Sequence, residues 1–204
     1  ICLGYKGNKL KKFFLNYSTY MSDIKINTKL GSVKTTNYKS ENWNIELIET
    51  GLETMTGGRL KRIQHLLGDE DFLMTYGDGL SNVRINKLVK FHYKNKSMIT
   101  LTAVRPKQRY GVLKIQKKKV VYFNNKNKKT DIFINGGFFV ISKEAVSKIK
   151  NNQTYWEKEP LSYFLKLKKL YAFKHEGFWK SLDTLKDKND FNEMIKKNIK
   201  PWII

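Results

Sequence analysis

The run Tyr76-Gly77-Asp78-Gly79 sets one carboxylate between two glycines, directly after the apolar stretch Asp71 to Tyr76. A carboxylate held there can bind a divalent cation against a phosphate, because glycine on each side lets main chain and ligand approach closely. The end of a strand in an open α/β sheet is also where such folds place their ligands. A plain turn, built on the local preferences of Gly and Asp, would give the same four residues. A second acid, Asp183, precedes a helical run, where Asp commonly serves as an N-cap. Neither acid by itself separates structure from chemistry.

The elements that would carry these acids alternate along the chain. Ile1 to Leu3 reads as a short strand, and a glycine turn leads into a helix at Asn8 to Tyr17. Met21 to Thr50 reads as β with a polar turn. Thr56-Gly57-Gly58 reads as a turn that could open a helix N-terminus toward an anion. The helix that follows puts Leu60, Ile63, Leu66 and Leu67 on one face. A strand at Phe72 to Tyr76 precedes the Gly-Asp-Gly turn. A helix then spans Val83 to Tyr93, a strand Ser97 to Val104, and a lysine-rich hairpin joins Val112 to Ile115 with Lys119 to Phe123. Ile132 to Ile141 is a strand interrupted by Asn135-Gly136-Gly137, which marks a bulge or a close-lying ligand. Helices at Lys143 to Ile149 and Leu161 to Leu167, a strand at Leu170 to Lys174 and a helix near Thr184 to Lys197 complete the pattern. Such alternation predicts an α/β fold: a Rossmann-like, mixed but mostly parallel sheet with helices on both faces, and a small β insertion near 21–50.

The 204 residues suit a single domain spanning 1–204. The sole cysteine, Cys2, excludes an internal disulfide and a cysteine-based zinc site, which fits a cytoplasmic protein. No apolar run reaches the length of a membrane span, so no membrane partner is expected. The net charge of +22 invites a nucleic-acid reading. Only Arg59, Arg62, Arg84, Arg105 and Arg109 are arginine, however. The other basic residues are lysines scattered along the whole chain, without an Arg-rich arm or an aromatic RNA-binding signature. Dispersed lysine reads as a solvated surface, and no nucleic acid is expected as a partner.

Several segments, in one order, carry a more specific message. They are Thr50-Gly51, Met55-Thr56-Gly57-Gly58-Arg59-Leu60-Lys61-Arg62, Thr75-Tyr76-Gly77-Asp78-Gly79, Ile134-Asn135-Gly136-Gly137-Phe138-Phe139-Val140, Trp156-Glu157-Lys158-Glu159-Pro160-Leu161 and Gly177-Phe178-Trp179 through Leu182-Asp183-Thr184. The series resembles the sugar nucleotidyltransferases, and within them the glucose-1-phosphate cytidylyltransferase branch, from Ile1 to Pro201-Trp202. The resemblance implies transfer of a cytidylyl group from CTP to α-D-glucose 1-phosphate, giving CDP-glucose and pyrophosphate. It implies Mg2+ as cofactor, held by Asp78 and Asp183. It also implies a homo-oligomer and a place in surface polysaccharide and dideoxysugar synthesis.

By the same resemblance, Thr54 and Arg59 face the nucleotide beside Gly77, Lys126 faces the sugar phosphate, and Asn135 with Gly137 touches sugar hydroxyls. Asn125 stands where the family carries glutamate and Asn127 where it carries proline. One hydroxyl acceptor is thereby weakened and one loop freed, which puts sugar identity in question. Asn82 stands near the metal turn where relatives often carry aspartate. His65, His92 and His175 match no catalytic position and read as structural or surface residues. The family's glycine-rich triphosphate loop is not found in this chain, which opens at Ile1, so the polypeptide reads as lacking its first β-α unit and is expected to be inactive as given. Uridylyl or thymidylyl transfer to another hexose 1-phosphate, a non-catalytic basic polyanion-binding remnant, and a subunit that completes a partner's site are the other readings.

Overall fold

The computed structural model describes residues 1–39, 41–106, 112–116, 118–124 and 132–203; Asn125, Lys126 and Asn127 of the expected sugar-phosphate loop lie outside the described residues. The chain divides into two compact units, Ile1–Leu66 with Ile149–Glu159, and Leu67–Lys148 with Pro160–Ile204.

The first unit contains β1 (Cys2–Leu3), α1 (Gly7–Leu15), α2 (Tyr17–Tyr20), β2 (Asp23–Asn27), β3 (Ser32–Thr36), β4 (Ile48–Glu49) and α3 (Thr56–Arg62), then a 3-10 turn at Gln64–Leu66. Strands β1 and β4 pair in parallel. The expected β insertion is the antiparallel hairpin β2–β3, with Asp23 opposite Thr36 and every residue of both strands exposed. Helix α3 begins at Thr56, ahead of the expected start at Leu60, so Gly57 and Gly58 form its first turn instead of an opening toward an anion. The reason is packing. A Cβ on Gly58 would sit 2.3 Å from the Asn152 carbonyl oxygen, and one on Gly57 would sit 2.8 Å from that of Thr154. Those carbonyls instead accept from the chain that enters the helix: Met55 N–H donates to Asn152 at 2.8 Å and Gly58 N–H to Thr154 at 3.2 Å. Donors that a helix start leaves unpaired are thus met by backbone.

The second unit contains β5 (Phe72–Thr75), β6 (Gly79–Ser81), α4 (Ile85–Lys94), β7 (Ile99–Val104), β8 (Val112–Gln116), β9 (Lys119–Asn124), β10 (Ile134–Ile141), α5 (Lys143–Val146), α6 (Glu159–Lys166), β11 (Leu170–His175), β12 (Trp179–Ser181) and α7 (Leu185–Lys196). Its main sheet has the order β11-β7-β10-β5. Strand β11 runs parallel to β7, while β10 runs antiparallel to both β7 and β5. Three strands share one direction and β10, set between β7 and β5, opposes them, so the sheet is mixed as the alternation predicts, but with one parallel pairing and two antiparallel ones where a mostly parallel sheet is expected. Between β7 and β10 the described residues form the β8–β9 hairpin, and antiparallel neighbours such as β7 and β10 need no crossover helix.

The core of this sheet is the pair β7–β10, where Ile99, Val104, Phe139, Val140 and Ile141 are buried. Each such side chain contributes about 1.5–3 kcal/mol by leaving water. Helix α4 lies against the sheet with Leu88 and His92, one turn apart, turned inward. His92 is 1% exposed, with Nδ1 at 2.9 Å from Thr100 Oγ1 and 3.1 Å from Ser97 Oγ. Its Nε2 lies 3.2 Å from Asp71 Oδ2, out of line for a good hydrogen bond. Burial holds the imidazole pKa below its ordinary value, and the opposing pull of Asp71 does not cancel it. The folded protein therefore keeps His92 neutral where the unfolded chain takes up a proton. This contribution to stability is complete above about pH 6.5 and is lost as pH falls below it. The urea midpoint is expected to drop between pH 8 and pH 5.5, and His92→Gln should flatten that drop. An equal drop in the variant would assign it to other groups.

Candidate active site

Asp78 and Asp183 are far apart in sequence and are joined by a short ribbon. Strands β6 and β12 pair antiparallel, with Gly79 opposite Ser181, Leu80 opposite Lys180 and Ser81 opposite Trp179. At one end the pairing continues by a hydrogen bond from Leu182 N–H to the Asp78 carbonyl, 2.8 Å long. Asp183 follows Leu182 directly, so the ribbon brings the backbone of the two acids to the same end, one residue out of register. Both residues are exposed.

The local structure beyond Asp183 removes its alternative role. The N-cap of α7 is Thr184, whose hydroxyl accepts from Asp187 N–H at 3.2 Å while Asp187 Oδ2 accepts from Thr184 N–H at 3.0 Å. This capping box satisfies the helix start with Thr184 and Asp187. Asp183 is left outside the helix, where Ser181 Oγ donates to its Oδ2 at 2.6 Å. Ser181, unmarked by the sequence reading, thus orients one of the two acids.

Beside the ribbon lies the expected interruption in β10. The β10–β7 register shifts between Asn135 and Phe139, which makes the Asn135-Gly136-Gly137 segment a bulge. Its residues are fixed from within: Gly137 N–H donates to Asn135 Oδ1 at 2.9 Å, and Tyr76 N–H donates to the Gly137 carbonyl at 3.1 Å. Gly137 has φ 79°, in the left-handed region, and a Cβ there would lie 2.8 Å from the Tyr76 ring, so both conformation and contact require glycine. Asn135 Oδ1 is engaged in holding the bulge. The indole N–H of Trp179 donates to the Gly136 carbonyl at 2.7 Å, which ties the ribbon to the bulge. Gly77 differs from its neighbours: nothing lies within 4 Å of where its Cβ would be, and its φ is not positive.

In the other unit, Thr54 is buried. Arg59 points its Nη1 at the Leu3 carbonyl (2.9 Å) and at Thr50 Oγ1 (2.7 Å), and its guanidinium lies against Gly4. It therefore anchors the end of β1 to α3, a role the sequence reading did not assign. No cluster of three or more His, Cys, Asp or Glu residues suited to a metal occurs among the described residues. No helix among the described residues is long and apolar enough to cross a membrane.

The chain is similar to known proteins in sequence and in fold. The sequence pattern of the family described as nucleotidyl transferase matches residues 18–198. The chain is 41% identical over 203 residues to a glucose-1-phosphate cytidylyltransferase of Salmonella typhi, an alignment covering 99% of this chain and 79% of that protein. It is 34% identical, with the same coverage, to a probable glucose-1-phosphate cytidylyltransferase of Bacillus subtilis. Among solved structures, HddC from Yersinia pseudotuberculosis complexed with GMP-PN superposes with a TM-score of 0.57 at 18% identity, over 95% of this chain and 76% of that one. A putative glucose-1-phosphate thymidylyltransferase from Bacillus anthracis gives a TM-score of 0.52 at 16% identity, over 69% and 61%. At such identities these two establish the fold.

Proposed function

This chain belongs to the nucleotidyl transferase family, and we propose that it transfers the cytidylyl group of CTP to α-D-glucose 1-phosphate, giving CDP-glucose and pyrophosphate with the help of Mg2+. The nucleotidyltransferase activity follows from the family. The choice of CTP and glucose 1-phosphate is supported by 41% identity to a protein named for that pair. The single observation that supports the chemistry is the β6–β12 pairing, which sets Asp78 opposite Leu182, the residue before Asp183.

In the reaction a phosphate oxygen of the sugar ester attacks the α-phosphorus of CTP. The new P–O bond forms as the bond to pyrophosphate breaks, and the pyrophosphate carries away the electron pair. Attacker and target are both anions, so the site must neutralise charge and hold the two in line. Two exposed carboxylates, with no cluster of three or more such ligands among the described residues, suit a hard cation that completes its shell with phosphate oxygens and water. Bound Mg2+ would supply charge neutralisation at the phosphates. Asp78 and Asp183 would hold it, with Ser181 fixing the orientation of Asp183. Gly77 would let a phosphate approach bare backbone. Lys126 would face the sugar phosphate and Asn125 the sugar. Gly137, with Asn135 shaping the bulge, would present backbone to sugar hydroxyls. Thr54 and Arg59 would serve the nucleotide, Arg59 with the edge of its guanidinium that does not hold Leu3.

Pyrophosphate release by the complete gene product, measured for CTP, UTP, dTTP and GTP against glucose, mannose and galactose 1-phosphates, tests the assignment. The pair CTP and glucose 1-phosphate is expected to give the highest kcat/KM by at least about tenfold, a difference of roughly 1.4 kcal/mol. A faster reaction with UTP or dTTP would replace the nucleotide assignment. A faster mannose or galactose ester would replace the sugar assignment and would point to Asn125 and Asn127 as its cause.

A further inference from the structure

A two-stranded ribbon of three residue pairs is marginal on its own, so something besides its ladder must hold the strands that carry Asp78 and Asp183. At the end opposite the acids, the ribbon is fastened by a small polar cluster. Ser81 Oγ donates to the Phe178 carbonyl at 2.8 Å and accepts from Val83 N–H at 3.2 Å. His175 Nε2 lies 3.2 Å from Ser81 Oγ and 3.2 Å from the Phe178 carbonyl. The Ser81 hydroxyl proton already points at Phe178, and a carbonyl can only accept. Both contacts are therefore satisfied when His175 carries its proton on Nε2 and donates. Asn82 N–H adds a bond to the same carbonyl at 3.1 Å.

His175 is the last residue of β11 and is in register with Val104 of β7, so it belongs to the main sheet. Ser81 belongs to the ribbon. The His175–Ser81 contact is thus a side-chain pin from the rigid sheet to the element that carries both acids. Gly177 is shaped around it: a Cβ there would lie 2.7 Å from His175 Cε1, 2.9 Å from Nε2 and 2.4 Å from Asn82 Oδ1. No positive φ demands glycine at this position, so the ring of His175 and the amide of Asn82 are what exclude a side chain.

We infer that Ser81 and His175 are positioning residues, which set the spacing of Asp78 and Asp183 for the metal by pinning the β6–β12 ribbon to the main sheet. The inference rests on the metal role proposed above for the two acids. Groups that orient metal ligands from behind typically change metal affinity by about 10–100-fold when removed.

The test is Mn2+ binding by the complete gene product without substrates, followed by the electron paramagnetic resonance signal of the free ion, with thermal midpoints measured in parallel. His175→Ala and Ser81→Ala are expected to weaken Mn2+ binding about tenfold with little change in midpoint, and excess metal should restore turnover. His175→Gln, which keeps an N–H donor of similar reach, should recover most of the affinity. Parental affinity in both alanine variants, with loss in Asp78→Asn, would overturn the pin and leave the metal site standing. Parental affinity in Asp78→Asn itself would remove the metal site and the pin with it. Weakened binding that tracks a lowered midpoint, with no recovery in His175→Gln, would reduce both residues to structural roles.

Discussion

Asp78→Asn in the complete gene product is expected to lower turnover by two to three orders of magnitude while leaving the thermal midpoint unchanged. The fold does not depend on the charge: the residue is exposed, and its carboxylate has no hydrogen-bond or ion-pair partner among the described residues. Its backbone carbonyl, which accepts from Leu182, is untouched by the substitution. An amide of the same shape is a poor ligand for a hard cation, so the loss should fall on charge neutralisation at the phosphates. That effect is worth several kcal/mol, and each 1.36 kcal/mol is about tenfold in rate. Asp183→Asn should behave alike, and the double variant should be little worse than the weaker single one, because the two acids act on one ion. Near-parental turnover in Asp78→Asn, measured as pyrophosphate release at saturating CTP and Mg2+, would refute the role. Losses that multiply would show that the acids act on separate events.

What could be read from the sequence divides along a physical line. Strands β5, β7, β10 and β11 and helix α4 are long enough to carry their own apolar pattern, and their expected and observed spans differ only at the ends. The glycine pair in β10 also announced its bulge, since a Cβ-free stretch inside a strand has few other uses. The ribbon that joins the acids was not legible. Gly79-Leu80-Ser81 and Trp179-Lys180-Ser181 are each three residues long, too short for alternation to register, and their pairing is a purely tertiary fact. Asp183 differs: the Thr184-x-x-Asp187 capping signature is local and already in the sequence, and it assigns the cap to Thr184 and leaves Asp183 outside the helix. His175 looked isolated because its partners, Ser81 and Phe178, meet it only through the fold. The Gly57-Gly58 pair was misread because the atoms that exclude a side chain belong to Asn152 and Thr154, far along the chain.

That misreading supplies the sharpest stability test, because two glycines of this protein make opposite demands. Gly58→Ala adds a methyl group whose nearest neighbours would be the oxygen, Cα and carbonyl carbon of Asn152 at 2.3, 2.6 and 2.7 Å. These are backbone atoms, and the Asn152 carbonyl is also held by Met55 N–H, so they cannot yield as a side-chain tip would. Alanine gains about 1 kcal/mol over glycine in a helix interior, but forced overpacking costs about 1–3 kcal/mol and more against rigid backbone. The clash wins, and a net loss of roughly 2 kcal/mol should lower the thermal midpoint by about 4–8 °C. Gly77→Ala meets nothing within 4 Å and no positive φ, so its stability should stay within about 0.5 kcal/mol of the parent or rise slightly. Folding does not ask for glycine at position 77. If a phosphate comes to the backbone beside Asp78, the alanine variant should keep its stability and lose activity, the reverse of Gly58→Ala in which stability is lost first. Equal midpoints for the two variants would show that the Asn152 segment moves aside, and full activity in Gly77→Ala would show that no ligand approaches there.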